Sequence, residues 1–300
     1  MRKNSSVALG RYFKGSKSYM DTTVVKISAR RTFLKCGTCS RAMYRLLNHQ
    51  FGNIKPTEER ASDLLAGGIA MKGHQCGMVW GAALAVGAES FRRYNDKGMA
   101  VAAAINASRS LVESFYRRAG TVNCRDITKV DWEKRSDLVK YVLKTVSRGF
   151  IYSPCFNFMA KWRPEAVVAA NEGLSAQPDH NQPCLSCATE VLKRMGATEE
   201  ESVTVAGLAG GVGLSGNGCG ALGAVIWYKM VNQIRENHGK APAMFNNPDA
   251  KRIIDAFCIQ TDSEMVCRKI CGREFDTIGD HSEYIGNGGC GALLETLSKL

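Results

Sequence analysis

The chain has 300 residues, twelve of which are cysteine, and a formal net charge of +12 at pH 7. That length allows one large domain or two ordinary domains with their own cores. It excludes the small module in which disulfides replace a core. Nothing at the beginning resembles a signal peptide, so we expect a reducing compartment in which thiolates serve as ligands or redox groups.

The positive charge is concentrated near the beginning of the chain. Residues 1–35 contain nine Lys or Arg and one acidic residue, Asp21. We predict a basic, flexible tail over residues 1–31. We do not expect nucleic-acid binding, because no aromatic interleaving or nucleic-acid motif accompanies the charge. Met20 is an alternative to Met1 as the physiological start.

Two segments raise the question of export or a membrane span. Arg30 and Arg31 resemble the twin arginines of an export signal, but a charged segment follows them instead of an apolar one. We therefore predict a cytoplasmic protein, with export by the twin-arginine route as the less favoured alternative. Residues 202–228 carry no charge and are long enough to span a membrane. Glycines interrupt them, so we predict two helices joined by a turn and no membrane span.

Apolar periodicity and capping residues predict a mostly α protein without long β-strands. In the first half the predicted helices are 36–48, 58–71, 76–94, 98–118 and 136–147, and residues 155–171 close the copy. In the second half they are 184–195, a helix opened by a capping box at Thr198, 219–237 and 248–260, and the chain ends on residues 290–300. Residues 175–183 are polar and contain two prolines, which is typical of a linker.

The second half of the chain repeats the first. Residues 65–77 return as residues 208–220, 143 positions later. This offset, or one of 148, also relates four pairs of cysteines: Cys36/Cys184, Cys39/Cys187, Cys76/Cys219 and Cys124/Cys267. A looser pairing joins Cys155 to Cys290. We therefore predict two tandem, pseudo-equivalent cysteine-rich helical modules, residues 32–175 and 176–300.

The repeated cysteines fall at predicted helix starts or in a loop before a helix. Helix N-termini present free N–H groups and a positive dipole end, which lower thiol pKa values and stabilise thiolates. Gly77 and Gly220 follow the central cysteine of each copy, and their small size lets backbone amides approach a sulfur or a cofactor. Several cysteines that converge on one site favour a soft metal ion or an iron–sulfur cluster. We interpret Cys258, which has no match, as a small buried hydrophobic residue.

These residues resemble the C_GCAxxG_C_C family of redox-active proteins. The resemblance implies a helical fold, a cysteine-bound redox centre, and relatives in which a similar module carries an iron–sulfur cluster. It extends over two sets of four cysteines, which we predict as metal ligands: Cys39, Cys76, Cys124 and Cys155 in the first copy, and Cys187, Cys219, Cys267 and Cys290 in the second.

The chain departs from the family pattern at a few positions. Gly77 and Gly220 replace an alanine, and three additional cysteines are alternate ligands: Cys36, Cys184 and Cys271. Our hypothesis is one iron–sulfur cluster per copy, in an electron-transfer or redox-sensing protein that works with a redox partner protein. The alternatives are a structural module with zinc on the same thiolates and a thiol–disulfide oxidoreductase that uses the Cys-x-x-Cys pairs. No catalytic acid, base or substrate pocket is identified, so enzymatic activity and oligomeric state stay open.

Overall fold

The computed structural model describes residues 27–147, 149, 153–176, 184–240, 243 and 247–300. Helices account for the regular structure of these residues, which form no strand beyond two isolated bridges. The prediction of a mostly α protein is confirmed. The helices are α1 Ala29–Cys36, α2 Cys39–Phe51, α3 Pro56–Ala61, α4 Gly77–Arg93, α5 Lys97–Ala119, α6 Cys124–Thr128, α7 Arg135–Ser147, α8 Pro154–Ser175, α9 Cys187–Arg194, α10 Glu199–Thr204, α11 Gly220–Glu236, α12 Pro248–Thr261, α13 Cys267–Cys271, α14 Ile278–Gly286 and α15 Gly291–Ser298.

Several helices recur at the offset of 143 that relates the repeated sequence segments. The bounds of α3, α4 and α6 reappear, exactly 143 positions later, as those of α10, α11 and α13. Short 3-10 helices, Ser62–Leu65 and Ala206–Leu208, follow α3 and α10. This agreement supports the predicted duplication, although the predicted module boundaries stay a prediction. Most of the predicted linker, residues 177–183, lies outside the described residues.

The two halves of the chain pack into a common hydrophobic core. Trp80 of α4 and Trp227 of α11 belong to the same cluster of buried residues. A Cβ atom at Gly223 would overlap the indole ring of Trp80, so a glycine is needed where α11 meets this ring. The indole Nε1 of Trp227 donates a hydrogen bond to the carbonyl oxygen of Glu58 over 3.0 Å. The halves therefore stabilise each other through buried contacts.

A left-handed turn follows each 3-10 helix, where the sequence predicts helix up to residue 71. Residues 67–71 and 210–214 all have positive φ angles, between 46° and 81°. Hydrogen bonds stabilise this turn: the N–H of Ala70 donates to Leu64 over 2.7 Å, and that of Gly73 donates to Gly67 over 2.9 Å. The predicted helix 58–71 is wrong beyond residue 65, because the left-handed residues cannot continue a right-handed helix.

The cysteine pairs also differ from the expected helix starts. Cys36 ends α1, Gly37 follows with a φ of 81°, and Cys39 begins α2. In the second half α9 begins at Cys187, after Ser186, whose hydroxyl accepts the N–H of Thr189. The first cysteine of each pair therefore lies outside the helix that it was predicted to open. Residues 29–31, predicted as part of the flexible tail, are helical.

The uncharged segment 202–228 contains the end of α10, the second left-handed turn and the beginning of α11. Across the part of the chain that the structure describes, no helix combines the length and apolar character that a membrane span requires.

Candidate functional site

The four cysteines predicted in the first copy line one cavity of about 470 Å³. Four different helices bring them there. Cys39 and Cys124 are the first residues of α2 and α6, Cys76 is the N-cap residue of α4, and Cys155 is the second residue of α8. The first and last of these residues, Cys39 and Cys155, lie more than 110 positions apart in the sequence. The structure nevertheless brings all four thiols to one cavity.

Backbone hydrogen bonds fix the relative position of the central and third cysteines. The N–H of Cys76 donates to Val122 over 2.7 Å, and the N–H of Cys124 donates to His74 over 2.7 Å. The second copy repeats this arrangement with Cys219 to Met265 (3.1 Å) and Cys267 to Asn217 (2.5 Å). The loops that carry these cysteines are therefore held side by side in both halves.

Hydrogen-bond donors point at every sulfur of the first set. The backbone N–H groups of Gly67 and Ser40 donate to Cys39, and that of Met78 donates to Cys76. The sulfurs of the other two cysteines accept from aromatic side chains, Cys124 from Trp132 Nε1 and Cys155 from the Tyr141 hydroxyl, each over 3.3 Å. Donors of this kind stabilise sulfur ligands and tune the reduction potential of a bound centre.

The environment of these thiols is apolar. Among the described residues that line the cavity there is no Asp, Glu, Lys, Arg or His, and Phe33 and Phe156 stack beside it with ring centroids 4.1 Å apart. Burial raises the pKa of Cys124, and it raises the pKa of Cys155 to about 11. Cys39 is the exception, because its hydrogen bond with Cys76 lowers its pKa. Since metals bind thiolates, loading of this site has to release protons.

The second set is more crowded and contains five cysteines. Cys187, Cys219, Cys267, Cys271 and Cys290 line a space of only about 10 Å³, roughly that of one water molecule. The Sγ atom of Cys271 lies 3.8 Å from that of Cys267 and 3.6 Å from that of Cys290. Backbone N–H groups again face the sulfurs, from Gly210 to Cys187 and from Leu222 to Cys219.

The two cysteine sets differ in the size of the bound group for which they have room. Within the described ranges, no three Cys, His, Asp or Glu side chains are arranged to hold a single metal ion. In the first set four sulfurs surround a cavity with room for a group of several atoms, which suits an iron–sulfur cluster. In the second set the sulfurs leave no such room, so a cluster does not fit this packing.

Gly77 and Gly220, the two glycines predicted at the sites, allow neighbouring segments to pack closely because they have no side chain. A Cβ atom at Gly77 would lie 2.7 Å from the Sγ atom of Cys39 and 2.9 Å from the Cα atom of Ala66. A Cβ atom at Gly220 would overlap the carbonyl oxygen of Leu208. Each glycine therefore lets the start of a long helix press against the segment that leads into the left-handed turn. Gly220 is among the residues that line the second cysteine site. Gly77 lies beside the first site, where its nearest ligand atom is the Sγ atom of Cys39.

The first cysteines of the Cys-x-x-Cys pairs line neither site. Cys36 is buried in the main core, and Cys184 is half-buried against a smaller apolar cluster that includes Phe275. Cys258 is half-buried and packs against the main core. Of the three alternate ligands, the structure brings only Cys271 to a cysteine site.

Sequence reasoning missed the side chains that cover the cysteines from α7, α14 and the segments just before these helices. The offset of 143 relates Trp132 to Phe275, Leu138 to His281 and Tyr141 to Tyr284, and all six line the two sites. The Tyr284 hydroxyl lies 3.9 Å from the Sγ atom of Cys290. Burial lowers the pKa of His281 to about 4, so this ring is neutral at pH 7. The repeat register was the sequence signal that could have found these residues.

Comparison with known proteins identifies one family and no individual relative. No curated protein and no solved structure matches the chain. The family match begins beside Cys39, contains the complete first cysteine set, and does not extend into the second copy. Residues 37–161 match the model of the family described as "Putative redox-active protein (C_GCAxxG_C_C)", so this part of the chain is similar to a family with a general redox role.

Proposed function

We propose that this protein is an electron-transfer or redox-sensing protein that binds an iron–sulfur cluster through Cys39, Cys76, Cys124 and Cys155. The observation that carries the proposal is the convergence of these four thiols, from four helices, on one apolar cavity of about 470 Å³. The family match over residues 37–161 supports the same redox role. A protein redox partner and a cytoplasmic location belong to this proposal.

A bound cluster supplies one-electron chemistry, and the chain supplies its surroundings. The four cysteines provide the thiolates, while Gly67, Met78, Trp132 and Tyr141 donate hydrogen bonds to them. The described lining residues carry no charge, which raises the energetic cost of adding negative charge to the site. The hydrogen-bond donors offset part of that cost.

We further propose that the two halves arose by duplication and that their cysteine sites have diverged. The matched bounds of three helix pairs and the repeated left-handed turn support the duplication. The cluster proposal is confined to the first set, because the five sulfurs of the second leave about 10 Å³ between them. Ligation by Cys187, Cys219, Cys267 and Cys290 stays a sequence prediction.

The two alternatives make different demands on the first set. A zinc ion needs four ligands about 2.3 Å from one point, whereas no three Cys, His, Asp or Glu side chains of the described residues are placed to hold a single ion. A thiol–disulfide exchange reaction through the Cys-x-x-Cys pairs would use Cys36 and Cys184, which line neither site, and Cys36 is buried. The cluster proposal agrees best with both observations.

The test is to purify the full chain without oxygen and to measure its visible absorption, iron and acid-labile sulfide. We expect a brown protein with iron and sulfide in equal amounts, bleached by oxygen or acid. A colourless protein with stoichiometric zinc would establish the structural alternative. A protein that contains neither iron nor sulfide, even after anaerobic reconstitution with ferrous iron and sulfide, would rule the proposal out.

Substitution of Tyr141 tests whether the hydroxyl tunes the centre. Burial and the neighbouring Cys155 thiol raise the pKa of Tyr141, so the phenol stays protonated and donates to the sulfur. Loss of a hydrogen bond of about 1 kcal/mol in Tyr141→Phe should lower the reduction potential by about 40 mV. Redox titration followed by absorption measures the shift. Tyr116→Phe, at an exposed position, is the control, and an unchanged potential in Tyr141→Phe would contradict the assignment.

A further inference from the structure

Three sulfur atoms of the second set lie in a chain with Cys271 in the middle. Its Sγ atom is 3.6 Å from that of Cys290 and 3.8 Å from that of Cys267. Cys271 and Cys290 are half-buried, whereas Cys267 is buried. The pair Cys271 and Cys290 therefore combines the shorter distance with access to solvent, and exchange with a soluble reagent requires such access as well as a thiolate.

Cys271 is specific to the second half of the chain. The offset of 143 places Thr128 at the corresponding position of the first half, where its hydroxyl donates to the carbonyl oxygen of Cys124 over 2.7 Å. The first set has four cysteines and an open cavity, and the second has five and almost no open space. The additional thiol thus occurs at the site whose packing brings sulfurs into contact with one another.

We propose that Cys271 and Cys290 form a reversible disulfide by exchange with a low-molecular-weight disulfide such as oxidised glutathione. The Cys271 thiolate attacks one sulfur of the small disulfide, which breaks that bond and releases one small thiolate. The Cys290 thiolate then attacks the Cys271 sulfur and releases the second small thiolate. Two protein thiols lose two protons and two electrons, and the small disulfide becomes two thiols.

The bond would join two different helical elements. Cys271 is the last residue of α13, and Cys290 precedes the first residue of α15. Their sulfurs have to approach from 3.6 Å to about 2.05 Å to form the bond. The bond would close a loop that contains α14, with His281 and Tyr284. The residues that line this site are different from those that line the cavity of the first set.

Peptide mapping of the full chain tests the proposal. Because Arg268, Lys269 and Arg273 separate them, trypsin places Cys267, Cys271 and Cys290 on three different peptides. The anaerobically purified protein is treated with oxidised glutathione, free thiols are alkylated, and the digest is analysed by mass spectrometry. We expect peptide 270–273 to be linked to peptide 274–299, and dithiothreitol to release the link.

Variants identify the sulfurs involved. Cys290→Ser should abolish the link between these peptides, and Cys258→Ser, which changes a half-buried cysteine outside both sites, should leave its yield unchanged. Recovery of peptide 270–273 with an alkylated thiol, or linked instead to the peptide that contains Cys267, would overturn the proposal. The wild-type map gives this answer even if a variant fails to fold. Iron and sulfide content, measured on the same sample, reports separately on the first set.

Discussion

The Cys124→Ala variant is expected to lose the iron and sulfide of the first cysteine set. Cys124 begins α6, lines the cavity and accepts a hydrogen bond from Trp132 over 3.3 Å. Removal of the thiolate takes away one of four ligands and leaves an apolar wall in its place. Changes in residues that only orient a ligand already weaken metal binding by 10–100-fold, so we expect a loss of at least about 100-fold in affinity. Iron and sulfide analysis after anaerobic gel filtration measures it.

Cys36→Ala is the matched control for this variant. Cys36 is as buried as Cys124, at 6% and 4% exposure, but it lies in the main core and lines neither site. Each substitution removes one sulfur atom from a similarly buried position, so the two variants should change stability by similar amounts. Only Cys124→Ala should lose iron. Equal iron in both variants, or an equal loss from both, would contradict the assignment of the ligands.

The cysteines that meet could be predicted from the repeated spacing, although the local structure around them was not. The structure begins helices at Cys39 and Cys124, where the sequence predicted a helix from Cys36 and a loop at Cys124. The repeat showed which cysteines belong together. Two occurrences of the same spacing indicated that Cys76 and Cys124 share a site, as their adjacent backbone hydrogen bonds now explain.

The left-handed turn could not be predicted from the same rules. Glycines at 67 and 68 tolerate positive φ, but Ile69, Ala70 and Met71 also adopt it, at a cost of roughly 1–2 kcal/mol for each residue. Local propensity therefore favours a helix at these positions. Packing of the turn against the starts of α4 and α6 compensates for the cost, and such packing depends on residues far away in sequence.

The aromatic neighbours of the sulfurs were missed for a different reason. Trp132 and Tyr141 carry no ligand-like pattern, because their contribution depends only on where an indole N–H or a phenol hydroxyl ends in space. A periodicity argument assigns such residues to the core. The register of the repeat does contain the information, since an aromatic residue recurs at 275 and a tyrosine at 284.

Introduction of an alanine at position 220 should destabilise this protein. The resemblance to the C_GCAxxG_C_C pattern places an alanine after the central cysteine, where this chain has Gly220 as the first residue of α11. A Cβ atom there would overlap the carbonyl oxygen of Leu208, which is backbone in a fully buried segment and cannot rotate away. Overpacking of this kind costs about 3 kcal/mol, and we expect Gly220→Ala to lower the free energy of unfolding by that amount in urea denaturation.

Gly291→Ala provides the comparison, because Gly291 also begins a helix, α15, and no atom lies within 4 Å of the Cβ that the substitution adds. Alanine favours helix over glycine, so this control should change stability by less than about 1 kcal/mol, in the stabilising direction. Similar free energies of unfolding for the two variants would mean that Leu208 moves aside easily. A specific loss in Gly220→Ala would show that the second half has no space for a side chain beside Cys219, which agrees with the crowded sulfurs of the second set.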